Sequence, residues 1–136
     1  MNKKGFTLIE MLVVIAIIGL LAYFLVPHLL GSQDRAKEAS VKAVMHSLQV
    51  AIEGYNMENN TFPVVKNCGV ASLVTSYLSP GGYMVTIPKN PFTGKEYSDS
   101  DAAGKIVYDF NDVTGVYTLT GYKRDGKTKI LDLTNL

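Results

Sequence analysis

From Met11 to Leu30 the chain is an almost unbroken apolar run, Met11-Leu-Val-Val-Ile-Ala-Ile-Ile-Gly-Leu-Leu-Ala-Tyr-Phe-Leu-Val-Pro-His-Leu-Leu30, and no Asp, Glu, Lys or Arg falls between Glu10 and Asp34. Twenty helical residues rise about 30 Å, the thickness of a bilayer's hydrocarbon core, so the run predicts a transmembrane helix. A buried core helix would need this small domain to enclose it on every side. A secretory signal peptide has a shorter apolar region of about 7–15 residues and a small-x-small cleavage site, and no such site follows before Asp34. The segment is therefore expected to stay on the protein.

After Gly31-Ser32 the pattern changes but the period does not. Val41, Val44 or Met45, Leu48, Ala51 or Ile52 and Tyr55 recur every three or four residues, with Asp34, Lys37, Glu38, Lys42, Gln49 and Glu53 on other faces. One long helix from about Phe6 to about Asn56 is predicted, apolar all round at first and amphipathic afterwards. Gly19 and Pro27 interrupt its first half; one weakens a helix interior and the other removes a backbone hydrogen bond, although a proline in a membrane helix is often only a tolerated kink. A polar turn, Glu58-Asn-Asn-Thr-Phe-Pro63, ends the helix, and Val70–Leu78 is expected to form a short second one, stopped by Ser79-Pro-Gly-Gly82. Lys105–Phe110, Val116–Thr120 and Lys129–Leu133 read as strands, with an Asp-Gly hairpin signal at Arg124–Lys127. The fold class is α+β, an antiparallel meander of three or four strands packed on the amphipathic half of the helix.

Composition and charge sharpen this picture. The 136 residues make one domain's worth of chain, and 13 basic against 12 acidic side chains give a net charge of +1. That balance argues against a dedicated nucleic-acid binder. Lys3 and Lys4 precede the span, which favours a cytoplasmic N-terminus with the remainder on the far side of the membrane. Glu10 lies inside the apolar stretch, where a carboxylate costs roughly 2.5–3.5 kcal/mol at membrane depth unless partnered. An acid in that place is a functional candidate by default, the plainer reading being a protonated or interface-snorkelling side chain. Glu10 stands one helical turn after Phe6; were the chain to begin at Phe6, the helix N-terminus and its free amine would both favour the negative charge.

The stretch Lys4-Gly5-Phe6-Thr7-Leu8-Ile9-Glu10-Met11-Leu12-Val13-Val14 resembles the N-terminus of the type IV pilin and type II secretion pseudopilin superfamily, a class III leader junction followed by the family's hydrophobic helix. The resemblance implies that a prepilin peptidase cuts after Gly5 and methylates the new amine of Phe6. It implies that Glu10 neutralises the N-terminus of a neighbouring subunit during assembly into a homo-oligomeric helical filament, at an inner-membrane assembly platform. It also makes Gly19 to Pro27 the candidate stretch that bends or loses helicity in the filament. Residues 1–5 would be the leader, 6–30 the transmembrane and polymerisation helix, and 31–136 the extracytoplasmic head. The precursor would sit in membrane lipid and the product in a periplasmic or extracellular filament. Ile87-Pro-Lys-Asn-Pro-Phe-Thr-Gly-Lys-Glu-Tyr97 is similar to the proline-rich turn before the sheet in major pseudopilins and short pilins.

Other chemistry is thin. Cys68 is the single cysteine and forms no intrachain disulfide; it is expected to pack as a small hydrophobe. His28 and His46 have no metal or triad spacing around them and are read as structural or solvated. Asp99 and Asp101 with Asp109, and Asp112 beside them, are oxygen donors that could gather around calcium. Major pseudopilins bind calcium in a loop near this position, although the ligand pattern here departs from theirs. The expected function is thus a non-enzymatic structural subunit of a type IV pilus or pilus-like filament, with the major pseudopilin of a type II secretion system as the alternative. A membrane-tethered enzyme or binding module is disfavoured by the lack of any catalytic constellation.

Overall fold

The computed structural model describes residues 5–135, with the backbone alone described at 28–30. The chain divides into two compact units, one ending at Arg35 and the other beginning at Ala36. Helix α1, Leu8–Asn59, runs through both and contains Pro27. Its start is set by Thr7, whose Oγ1 accepts the Glu10 N–H at 3.3 Å while the Glu10 carboxylate accepts the Thr7 N–H at 2.9 Å. This reciprocal capping box satisfies donors that an α-helix otherwise leaves open. At the other end Asn60 turns left-handed, with φ 54°, and its N–H donates to the Asn56 carbonyl at 2.8 Å.

In the first unit every described apolar side chain of α1 is exposed, from Leu8 at 83% to Val26 at 55%. Nothing described in this unit covers them. The Gly19–Pro27 stretch is helical in this isolated chain, and a Cβ at Gly19 would meet nothing within 4 Å.

The second unit builds its core on the amphipathic half of α1. Val41, Met45, Leu48, Ala51 and Ile52 are buried, and Val44 and Tyr55 pack partly buried beside them. Where the periodicity left Val44 or Met45 open, Met45 is the one that goes fully inside. After the helix come β1 (Cys68–Gly69), α2 (Val70–Leu73), which widens into a π-type turn over Val74–Leu78, then β2 (Ile106–Asn111), β3 (Val116–Tyr122) and β4 (Lys129–Thr134). The sheet is antiparallel throughout, in the order β1-β2-β3-β4. The expected strands are present to within a residue or two, and β1 supplies the fourth.

Register sets what faces the helix. Tyr108 stands opposite Leu119 and Phe110 opposite Tyr117 across β2 and β3, and all four are buried. Tyr108 stacks on Tyr117 with centroids 5.6 Å apart, and Phe62 meets Tyr117 edge-on at 4.9 Å. The β3 strand runs two residues further than its apolar pattern, with Gly121 paired to Ile106 and Leu131 and Met45 of α1 packed against it. A Cβ at Gly121 would collide with Met45 Sδ. Burying one aliphatic side chain of this size contributes about 1.5–3 kcal/mol, so the layer of α1, α2 and sheet carries the stability of the head.

Candidate functional site

At the N-terminus, residues 5–7 lead non-helically into α1 and the chemistry concentrates in one turn. Glu10 Oε2 accepts from both the Thr7 amide, at 2.9 Å, and the Thr7 hydroxyl, at 2.7 Å. The carboxylate is therefore held on the open end of the helix by its own chain, with Phe6, Ile9, Val13 and Val14 lining the same groove. Phe6 is 75% exposed. A Cβ at Gly5 would meet nothing within 4 Å and its backbone has no left-handed φ. No packing within the described chain demands glycine there, so a demand for a small residue at this bond has to come from something that binds it. Lys3 and Lys4 lie outside the described residues, as does the side chain of His28.

Thr7 is the functional residue that the sequence reading left without a role. Its signal was present, since Thr-x-x-Glu immediately before an apolar run is a capping box. Its hydroxyl and its backbone N–H each give the Glu10 carboxylate one charge-assisted hydrogen bond at the mouth of an apolar helix.

The four carboxylates expected around calcium are distributed differently. Asp99 Oδ1 accepts the Ser72 N–H at 3.2 Å and Oδ2 accepts the Ser72 hydroxyl, so this side chain caps α2, whose own N-cap residue Gly69 offers no side chain. Asp101 Oδ2 accepts from Asn90 Nδ2 at 2.9 Å and from the Ser98 N–H at 3.1 Å. These two share a cleft with Tyr97, Ser98 and Ser100. Asp109 does not line it; its Oδ1 accepts the Asn67 N–H at 2.9 Å, where Asn67 is left-handed with φ 49°. Asp112 pairs with Lys66 at 3.8 Å. Calcium takes six to eight oxygen ligands, and among the described residues no three His, Cys, Asp or Glu side chains come together to hold a metal ion. The residues as folded do not fit that ion as a set.

The proline-rich segment is organised by a residue that pattern alone could not single out. Asn90 is fully buried. Its Nδ2 donates to Asp101 Oδ2 and, at 2.8 Å, to the Ala103 carbonyl, while its Oδ1 accepts the Phe92 N–H at 2.9 Å. Tyr97 adds a bond from its hydroxyl to the Gly104 carbonyl at 2.9 Å. Burial pushes the hydroxyls of Tyr97, Tyr108 and Tyr117 well above the ordinary tyrosine value, so each stays a donor. Tyr108 donates to the Pro63 carbonyl at 2.9 Å and Tyr117 to Glu53 at 3.0 Å. Burial, with Asp99 nearby, also raises the Cys68 thiol, which suits packing and not nucleophilic attack. His46 is exposed on α1.

Comparison with known proteins bears on the same residues. The family model described as the prokaryotic N-terminal methylation motif matches residues 1–22. The chain is 36% identical to the type II secretion system core protein G of Vibrio cholerae, over 71% of this chain and 69% of that one. It is 34% identical to the protein of the same name from Escherichia coli K12, over 71% and 70%. The type IV wide pilus major component PilA4 of Thermus thermophilus is 46% identical over a shorter stretch, 45% of this chain and 47% of that protein. No solved structure gives a significant match.

Proposed function

Because the chain belongs to the superfamily of type IV pilins and type II secretion pseudopilins, we propose that it is made as a membrane-anchored precursor, cut between Gly5 and Phe6, and built into a helical filament as a structural subunit. Residues 1–5 are then the leader, 6–30 the membrane and polymerisation helix, and 31–136 the head. The observation that carries this reading is an apolar half-helix, exposed at every described side chain and headed by a carboxylate in a capping box. Lipid satisfies the apolar surface first, and the same segments of other subunits satisfy it afterwards.

Hydrolysis of the Gly5–Phe6 amide removes Lys3 and Lys4 and leaves a net side-chain charge of −1. It also puts a cationic amine on Phe6, one turn from Glu10. Thr7 keeps the Glu10 carboxylate at the helix mouth, where an incoming subunit's amine can reach it. Inside a dry bundle an unpaired charge is costly, so this pair penalises misregistered packing. The assembly partners are further copies of this chain, a prepilin peptidase and a membrane assembly platform.

Matches across about two thirds or more of both chains to core protein G support a secretion pseudopilus as the first form of this filament. The PilA4 similarity supports a surface pilus as the second. Mass spectrometry of the mature N-terminus, with electron microscopy of sheared filaments, tests the reading. A methylated Phe6 terminus and filaments containing this chain are expected. An intact Met1 in cells with active prepilin peptidase would overturn it. Cells lacking the chain are expected to retain secreted hydrolases if the filament is a pseudopilus, and to lose surface fibres if it is a pilus.

A further inference from the structure

Asp-Gly occurs once in the chain, at Asp125-Gly126 in the turn that joins β3 to β4, and Asn-Gly does not occur. An Asp-Gly pair can rearrange its own backbone. The glycine nitrogen attacks the Asp side-chain carboxyl carbon, an approach that no glycine side chain obstructs. A C–N bond forms, the carboxyl and the amide together lose one water, and a five-membered succinimide closes. Water then adds to either ring carbonyl. Opening at the main-chain carbonyl carbon routes the chain through the Asp Cβ, one methylene longer, and leaves the old main-chain carbonyl as a free carboxylate. The product is isoaspartate.

In this turn both reacting groups are held. Asp125 Oδ2 accepts the Thr128 hydroxyl at 2.5 Å, and Oδ1 accepts the Lys127 and Thr128 N–H groups, each at 2.9 Å. With the Thr128 hydroxyl foremost, these bonds hold the carboxyl at about 2, below its ordinary 3.8. In neutral water it is therefore ionised, and a carboxylate is a poor electrophile with no water to expel. The nucleophile is tied from the other side. The Gly126 N–H donates to the Lys123 carbonyl at 3.0 Å, and the same carbonyl accepts the Gly104 N–H at 3.1 Å. Gly126 is left-handed, with φ 65°, and a Cβ there would lie 2.6 Å from the Ala102 carbonyl oxygen. Turning the Asp125–Gly126 peptide to face Cγ has to break the Lys123 bond in a backbone already seated on Ala102. A longer turn would also have to fit between fixed ends, since the Lys123 N–H donates to the Thr128 carbonyl at 2.8 Å.

We propose that Asp125-Gly126 is an isoaspartate-forming site kept silent by the fold, with Thr128 as the positioning residue that clamps the carboxylate and Lys123 as the carbonyl that clamps the glycine amide. The turn thus keeps its native backbone although its sequence is the one most prone to lose it. The device belongs to the head alone and does not depend on how the chain is processed or assembled.

The full chain in non-ionic micelles is held in neutral buffer at body temperature, beside a free peptide with the sequence of Tyr122–Lys129. Isoaspartate at Asp125 is followed by electron-transfer mass spectrometry. Heavy-oxygen water in the buffer counts ring openings, since each hydrolysis leaves one solvent oxygen in the product. Isomerisation is expected to be at least about tenfold slower in the chain than in the peptide, a factor that one charge-assisted hydrogen bond is enough to supply. Thr128→Val should speed it about tenfold, and Thr128→Ser, which keeps the hydroxyl, should stay at the parental rate. Near-ultraviolet dichroism of the buried tyrosines checks that the sheet survives in each variant. Equal rates in the chain and the free peptide would overturn the proposal. A Thr128→Val rate equal to the parent's would also overturn it, by assigning the protection to the sheet alone, as would a Thr128→Ser rate as fast as that of Thr128→Val. Should Thr128→Val lose the sheet, the parent chain against the peptide and against Thr128→Ser still decides.

Discussion

Replacing Asn90 by Ala removes three hydrogen bonds from a fully buried side chain, to Asp101, to the Ala103 carbonyl and from the Phe92 amide. A net bond contributes about 1 kcal/mol, and a buried amide or carbonyl left without a partner costs about 1–3 kcal/mol. The neighbouring bonds of Tyr97, to the Gly104 carbonyl and from its own N–H to the Pro88 carbonyl, hold part of the loop in place. The expected loss is therefore about 3 kcal/mol, short of the full sum of the penalties. Urea unfolding of the full chain in non-ionic micelles, followed by near-ultraviolet dichroism of the buried tyrosines, reads the change. With a denaturant slope of about 1–3 kcal/mol/M, the midpoint should fall by about 1–3 M. Asn90→Asp adds a second test, because it places a second carboxylate against Asp101 and removes the donor to the Ala103 carbonyl; it should destabilise the head in neutral buffer. An Ala midpoint within about 0.3 M of the parent would refute the keystone role.

Glu10→Leu is expected to leave membrane insertion intact and to reduce filament yield, measured by shearing and immunoblot; a normal yield would count against the assembly role. Thr7→Val removes the hydroxyl that bonds Glu10 and should produce a milder defect, since the charge remains while its positioning and about 1 kcal/mol of capping are lost. Gly121→Ala should destabilise the head by about 1–3 kcal/mol in urea titration, and the double variant with Met45→Ala should lose less than the sum of the two single losses, because the collision is with Met45 Sδ. Hydrogen bonds from the Thr128 hydroxyl and the Lys127 and Thr128 amides hold the Asp125 carboxyl at about 2, below its ordinary 3.8. A depressed carboxyl stabilises the folded state above the unfolded value and loses that contribution as pH falls from about 4 to about 2. Amide exchange in the β3–β4 turn should rise over that window in the parent and not in Asp125→Asn. Calcium at about 1 mM, the weak end of protein sites, should leave the urea midpoint unchanged; a clear upward shift would show that Asp99 and Asp101 rearrange around the ion.

Much of the fold was legible because its signals are periodic or local. The amphipathic stripe of α1 needs only the 3.6-residue repeat, and the strands announce themselves through β-branched and aromatic runs. Strand β1 was harder, since two residues carry no period and Cys68–Gly69 pairs only because Tyr108 and Val107 come alongside. Within the candidate site, Glu10 stood out as a charge in an apolar context. Thr7 is equally readable from its spacing, although a threonine carries no charge to mark it. The hydrogen bonding of the acidic residues was less legible, because a row of carboxylates in sequence says nothing of which amides each will meet. Asp99 caps a helix 27 positions away, and Asp109 supports a left-handed asparagine on a neighbouring segment.

The amino-acid order alone determined that this chain has a membrane-length apolar helix, a cleavable-looking junction at Gly5-Phe6, an acid at its mouth and an α+β head, because each depends on composition or on neighbours within a turn or a strand. Tertiary structure alone decided which carboxylates are spent on caps and turns, and that Asn90 anchors the proline-rich loop. Those outcomes depend on contacts between residues tens of positions apart, and such contacts exist only once the antiparallel sheet has brought β3 back along α1.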